Sequence, residues 1–399
     1  METERGLSAW RAEFPIVEKT VYMISNSLGA MPRKARLALE EYADLWETRG
    51  VRAWGEGWWT AQDQVTEHLA PILGVPQAAL SMHQNVTIAS AVFASSLEFP
   101  PGRDKIVCTE LNFHSLLYLY EGLARARGAS LVRVESDDGV SVPTERLLDA
   151  IDERTALVPI SHVLFRSAYI QDARAVIAKA REVGAVVLLD VFQSVGIVPL
   201  ALEDWGCHAA VGGVLKFCCG GPGGCFLYVE PELGKRLRPT LTGWMAHKRP
   251  FDFDPGPQDL REDGWRFLHG TPNVPGLYAA REGVRILAEI GVERIREQSM
   301  RQTALLVDKA RDLGFEVKAP LDPEHRGGTV AVDVPHGYEV CRELNARDFI
   351  VDFRPGAGIR IAPHFYTLDE ECAATLEEIA SVLESGAWKR HAGGERRPG

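Results

Sequence analysis

The sequence predicts an α/β fold: a mostly parallel sheet between two layers of helices, with a smaller α+β domain after it. Three observations predict it. Short aliphatic or β-branched runs recur between about residues 75 and 230, helical patterns separate them, and the runs are near-continuously apolar. Strands of that kind belong to parallel sheets covered on both faces. The 399 residues allow two or three domains at roughly 100–200 residues each.

Taken in order, residues 33–70 carry helical spacing with a tryptophan-rich middle (Trp46, Trp54, Trp58, Trp59). Strand candidates follow at 105–108, 130–134, 156–160, 185–190, 208–214 and 226–229. Between them, Asp172 to Gly184 reads as an amphipathic helix with Ala173, Val176, Ile177 and Ala180 on one face. Residues 240–275 are proline-rich and loop-like, and one long helix is expected from Gly276 to about Leu313. The remainder alternates again, with strands at 329–333 and 359–361 and helices at 337–346 and 368–385. The expected division is an N-terminal segment (1–45) that contributes to the small domain and an active-site loop, a large domain (46–280), a C-terminal small domain (281–388) and a flexible tail (389–399).

Composition excludes several classes. With 46% hydrophobic and 25% charged residues the sequence reads as an ordinary globular enzyme. No run approaches the ~18 apolar residues of a spanning helix, and Met1 to Arg5 lacks the pattern of a signal peptide. The net charge of -11, mixed along the sequence, argues against nucleic acid as a partner. Seven cysteines without a paired framework point to a reducing, cytoplasmic compartment, and no spacing fits a metal site.

Chemistry concentrates between Asp190 and Val229. Asp190 ends a buried apolar strand, where ligands of open α/β sheets bind. Lys216 is the only lysine between 180 and 234, among ten in the sequence, and it leads into Gly220-Gly221-Pro222-Gly223-Gly224. Glycines let a bulky cofactor approach the backbone. A desolvated lysine is a Schiff-base nucleophile, and a carboxylate at the next strand end can hold a pyridinium proton.

Asp190-Val191-Phe192-Gln193-Ser194-Val195-Gly196 with Lys216 and the glycine turn resembles the class V aminotransferases among fold-type I pyridoxal 5'-phosphate (PLP) enzymes. Asn26-Ser27-Leu28-Gly29, Asn112-Phe113, Gly270-Thr271-Pro272 and the stretch from Val351 to Pro363 are similar to the kynureninase branch. The resemblance covers about residues 20 to 385. It implies a seven-stranded sheet and a homodimer with shared active sites.

The resemblance also implies roles. Lys216 would join the PLP aldehyde as an imine and later move the Cα proton. Asp190 would keep the pyridine nitrogen protonated, Gln193 would bond the phenolic oxygen, and Phe113 would stack on the ring. The turn at Asn85, Val86 and Thr87, before the helical stretch 88–96, would hold the phosphate. Thr271 would reach the phosphate of the neighbouring subunit. Arg360 would bind the substrate carboxylate as a planar two-pronged donor, with Asn26 and Ser27 lining the same pocket. His83, His114, His247, His269, Tyr169 and Tyr366 are candidates for later proton transfers, and Trp54, Trp58 and Trp59 for an aromatic wall.

The sequence departs from kynureninases at Leu215, where a tyrosine usually precedes the lysine, and at Gln193, where histidine is common. It departs from cysteine desulfurases in having no cysteine between Asp348 and Arg360. Hydrolysis of the Cβ–Cγ bond of a kynurenine-like amino acid is the leading expectation. Elimination at Cβ, transamination and a non-catalytic PLP fold are the alternatives.

Overall fold

A computed structural model describes residues 6–393. In sequence order, β1 (Val21–Tyr22) precedes α1 (Arg33–Arg49) and α2 (Ala61–Leu73). An alternating region follows: β2 (Leu80–His83), α3 (Val86–Ser95), β3 (Lys105–Thr109), α4 (His114–Arg127), β4 (Ser130–Val134), α5 (Thr144–Asp149) and β5 (Thr155–Ser161). It continues through α6 (Ala173–Val183), β6 (Val186–Asp190), β7 (Ala209–Gly213), β8 (Cys225–Val229) and α7 (Pro231–Arg236). Then come α8 (Val274–Ile290), α9 (Val292–Asp312), β9 (Glu316–Val317), β10 (Val330–Asp333) and α10 (Gly337–Ala346). β11 (Phe349–Ile350), β12 (Asp352–Arg354), β13 (Gly358–Ile361) and α11 (Asp369–Ser385) complete the described elements.

Seven strands form the main sheet in the order β2-β8-β7-β6-β5-β3-β4. Neighbours are parallel from β7 to β4, and β8 runs antiparallel to both β7 and β2. Successive residues of a strand face opposite sides. On β6, Val187 and Leu189 therefore enter one core with α6 and α8, while Leu188 enters the other with α3 and α4. Burial on both faces explains the unbroken apolar runs.

Local signals set the helix ends. The Asp172 carboxylate caps α6 by accepting the Ala175 N–H (2.9 Å), and Gly184 ends it in the left-handed conformation (φ 73°). The single helix expected from Gly276 to Leu313 is two: α8 stops at Ile290, and Gly291 (φ 86°) redirects the backbone into α9. The expected helix over 33–70 is likewise α1 and α2, joined by a 3-10 turn at Gly50–Trp54.

A third core joins α9, α10 and α11 to a four-stranded antiparallel sheet, β12-β13-β10-β9. The N-terminal segment belongs beside it: β1 pairs in parallel with β11, and Ile24 bridges Ala362. Of the tail expected from residue 389, the described part is ordered as a 3-10 turn at Ala387–His391. Arg390 and His391 each contact Glu343 at 3.0 Å, and residues 394–399, like Met1 to Arg5, lie outside the described residues. Among the described residues, no helix is long and apolar enough to cross a membrane.

Candidate active site

The carboxyl ends of β5, β6 and β7 meet in one layer, because Asp190 is the register partner of both Ser161 and Val211. Asp190 is 7% exposed. Its Oδ1 accepts the Phe192 N–H (2.9 Å) and its Oδ2 the Ser161 hydroxyl (3.3 Å). Burial pushes this carboxyl above its ordinary range, opposed by the Phe192 N–H, Lys216 and Ser161.

Lys216 lies just beyond β7. Its backbone is held by the Gly29 N–H on Leu215 O (3.0 Å) and the Cys219 N–H on Lys216 O (2.9 Å). The amine lies 4.4 Å from the Phe192 ring centre and 5.8 Å from that of Phe113. Desolvation holds its pKa down to about 8, against the attraction of Asp190. A neutral amine is therefore accessible near neutral pH, which a carbonyl nucleophile requires.

Where β2 turns into α3, the Asn85 carboxamide caps the helix by accepting the Ile88 N–H (3.0 Å). Its Oδ1 is spent on the cap, leaving the amide NH₂ and the N–H groups of the first helical turn for an anion. A cavity of about 620 Å³ opens at this turn, bounded by Asn85, Thr87, Phe113, Phe192, Leu215 and Gly224. Phe113, 40% exposed, stands at its edge, where it meets Phe165 edge-on at 5.3 Å.

Gln193 donates from Nε2 to Asn26 O (3.2 Å). Asn26 is 1% exposed, yet neither polar atom of its carboxamide has a partner among the described residues. A buried amide left unpaired is costly, which marks a place for a polar ligand atom. The residues fit PLP: an amine for the aldehyde, a buried carboxyl for the ring nitrogen, free amide groups and a helix N-terminus for the phosphate.

Arg360, the candidate for the substrate carboxylate, is already paired within the fold. It is 2% exposed, engages Asp352 through Nε (2.8 Å) and Nη2 (2.5 Å), and donates from Nη1 to Phe165 O (2.6 Å). Ser27 lies in the turn that carries Gly29, with its N–H on Ile24 O (2.9 Å). Thr271 is exposed and does not line this cavity.

The other candidates scatter. His114, at the start of α4, faces Phe165 (5.7 Å) beside the mouth. Burial holds His83 down to about 3, and it pairs with Ser81 (3.1 Å). His247 accepts the Arg249 N–H in the loop region. Tyr366 is buried against Ser25 (2.7 Å). Tyr169 lines a different cavity with His162, Trp205 and His325. Trp54 and Trp59 stack at 4.3 Å, and Trp58, Trp59 and His269 line a separate pocket with Gln62 and Trp265. The tryptophans therefore do not wall the cavity at the Asn85 turn.

Sequence reasoning missed the roles of Asp352, Phe165 and Phe192 and the packing role of Gly29. Only Asp352 left a signal: it faces Arg360 across a two-strand hairpin whose turn contains Gly356.

The fold is that of the fold-type I PLP-dependent enzymes. The family model described as Aminotransferase class-V matches residues 21–352. The protein is 30% identical to a kynureninase of Bacillus anthracis, covering 96% of this chain and 93% of that one. It is 28% identical to a kynureninase of Burkholderia pseudomallei, covering 98% and 95%. The apo cysteine desulfurase of Thermococcus onnurineus NA1 superposes with a TM-score of 0.85 at 22% identity, over 96% of this chain and 100% of that one. A C-DES variant with glycine covalently linked to its PLP cofactor superposes with a TM-score of 0.83 at 20% identity, over 93% and 98%. At those identities the two structures speak for the fold alone. The protein belongs to the class-V aminotransferase family and is a PLP-dependent enzyme.

Proposed function

We propose that this enzyme cleaves the side chain of an aromatic amino acid in the manner of kynureninase, hydrolysing the Cβ–Cγ bond of kynurenine or a related ketone to give an aromatic acid and alanine. The observation that carries the PLP chemistry is the desolvated Lys216 amine, held between Phe192 and Phe113 within the field of Asp190. The choice of reaction is supported by kynureninases aligned over nearly the whole sequence.

PLP, when bound, supplies the aldehyde that captures the substrate amine and the ring that accepts the electron pair left at Cα. Lys216 would hold the cofactor through its aldehyde and, once freed, would accept the Cα proton. Asp190 would keep a proton on the pyridine nitrogen, Gln193 would bond the phenolic oxygen, and Asn26 and Ser27 would line the substrate pocket. The first turn of α3 anchors the phosphate, with Thr271 reaching that of the neighbouring subunit in a homodimer. Arg360 holds the α-carboxylate. Phe113, at the edge of the cavity, would stack on the cofactor ring. Water adds its oxygen to the Cγ carbonyl carbon, and a proton ends on Cβ of the departing alanine. All seven cysteines are free and buried, which suits a cytoplasmic enzyme.

Leu215 and Gln193 favour a second reading, elimination at Cβ, because both depart from the kynureninase pattern. Incubating the holoenzyme with kynurenine, 3-hydroxykynurenine and S-substituted cysteines decides. An anthranilate-type acid with alanine supports the first reading, and pyruvate with ammonia the second. Turnover that depends on an added keto acid would overturn both in favour of transamination.

A further inference from the structure

We infer that Asp352 is a positioning residue that aims the Arg360 guanidinium at the α-carboxylate of the substrate. The inference rests on the proposed role of Arg360 and adds the device that makes that role specific.

The backbone imposes the pairing. β12 and β13 are antiparallel, and Asp352 is the register partner of Arg360. Residues directly opposite on one face have Cβ atoms about 4.5–5.5 Å apart, so the carboxylate and the guanidinium meet without long excursions. The contact is two-pronged, Nε to Oδ1 (2.8 Å) and Nη2 to Oδ2 (2.5 Å), with the two residues 1% and 2% exposed. Buried ion pairs contribute little net stability, because desolvation offsets the attraction. What such a pair does fix is direction.

Donor arithmetic sharpens the point. A guanidinium has five N–H groups. Asp352 takes two of them, and the carbonyl of Phe165, on the segment after β5, takes a third through Nη1 (2.6 Å). Two donors remain. Arg354 also reaches Asp352 Oδ2 (2.9 Å), so two guanidiniums share one carboxylate and the trio carries one net positive charge. That surplus matches a single carboxylate, and the pinned orientation selects where it binds.

Arg360 and Asp352 also lie within electrostatic reach of the nucleophile. The charged and titratable groups acting on the Lys216 amine are Asp190, Arg360, Cys225 and Asp352, with Arg360 lowering its pKa and Asp352 raising it. Removing the Asp352 charge takes away one of the groups that oppose Arg360 there, so the amine should release its proton at lower pH. A carboxylate that merely braced the hairpin would leave substrate recognition untouched.

The test compares PLP-loaded wild type with Asp352→Asn, Asp352→Glu, Arg354→Gln and Arg360→Gln, using the amino acid that the wild type turns over and its decarboxylated amine. A small misplacement of a positioning group produces effects on the order of a hundredfold. Asp352→Asn should therefore raise KM for the amino acid roughly ten- to a hundredfold, with PLP content unchanged. Its binding of the decarboxylated amine should equal that of the wild type. Asp352→Glu keeps the charge and displaces the fork, so KM should rise while the pH midpoint of PLP incorporation stays in place; this variant also serves if Asp352→Asn does not fold. Arg354→Gln should change KM less than either. Unchanged KM in both Asp352 variants, with Arg360→Gln impaired, overturns the positioning role. Equal weakening of the amino acid and the amine overturns it too. Unchanged KM in Arg360→Gln overturns the reading of Arg360 itself, and the proposal falls with it.

Discussion

Gly29 lies directly against the carbonyl of Lys216. A Cβ at position 29 would collide with that oxygen and come within 2.9 Å of the Cys219 Cα. The Gly29 N–H meanwhile holds Leu215 O at 3.0 Å. The N-terminal Asn-Ser-Leu-Gly turn is thus a backbone support for the nucleophile, and glycine is required by close approach rather than by conformation. Gly29→Ala should displace Lys216, with overpacking that costs about 1–3 kcal/mol. The check is PLP content and visible absorbance, both of which should fall, together with a lower thermal midpoint.

Lys216→Ala removes the amine that lies beside the Phe192 and Phe113 rings. Borohydride treatment of wild-type holoenzyme should fix PLP to the peptide that contains residue 216, and peptide mass spectrometry should find no adduct in the variant. Turnover should disappear as well. An adduct on another peptide would contradict the assignment.

The Lys216 amine sets a pH dependence. Its pKa of about 8 makes the neutral, nucleophilic form rise through that pH. Incorporation of PLP into cofactor-free enzyme should therefore accelerate as pH increases, with a midpoint near 8 and a plateau above it. The same shift fixes a sign for stability. An unfolded lysine, at 10.5, binds its proton more readily than the buried one, so the cofactor-free fold gains from this group as pH rises from about 8 to 10.5. Stopped-flow reconstitution across pH measures the first effect and chemical denaturation the second.

Asp190→Asn keeps the shape and loses the charge. PLP should still attach to Lys216, while kcat should fall about 10²–10⁴-fold, the range associated with positioned proton-handling groups. Undiminished kcat would remove Asp190 from the mechanism.

Asn85→Ala should act twice. Loss of an N-cap costs about 1 kcal/mol, and the first turn of α3 would fray where the phosphate is expected. A raised dissociation constant for PLP, measured by fluorescence titration, should accompany the loss of stability.

Much of this was legible in the residues. The strands at 105–109, 130–134 and 186–190 stand out as aliphatic runs between helical patterns, and Asp190 and Lys216 stand where strand ends place ligands. What stayed hidden depends on pairing in space. The Asp352–Arg360 contact is a matter of hairpin register. Nothing local says that Tyr169 stacks on His325, or that the tryptophans pack among themselves. The break between α8 and α9 hangs on one left-handed residue, Gly291, inside an otherwise continuous helical pattern.

One reversal in the main sheet has a further effect. Because β8 turns back beside β7 instead of crossing over through a helix, the segment from Val214 to Gly224 is stitched at both ends, Val214 N–H to Gly224 O (3.0 Å) and Gly220 N–H to Val214 O (2.7 Å). Those amides should be among the slowest in the molecule to take up deuterium, and the loop should tolerate no added length.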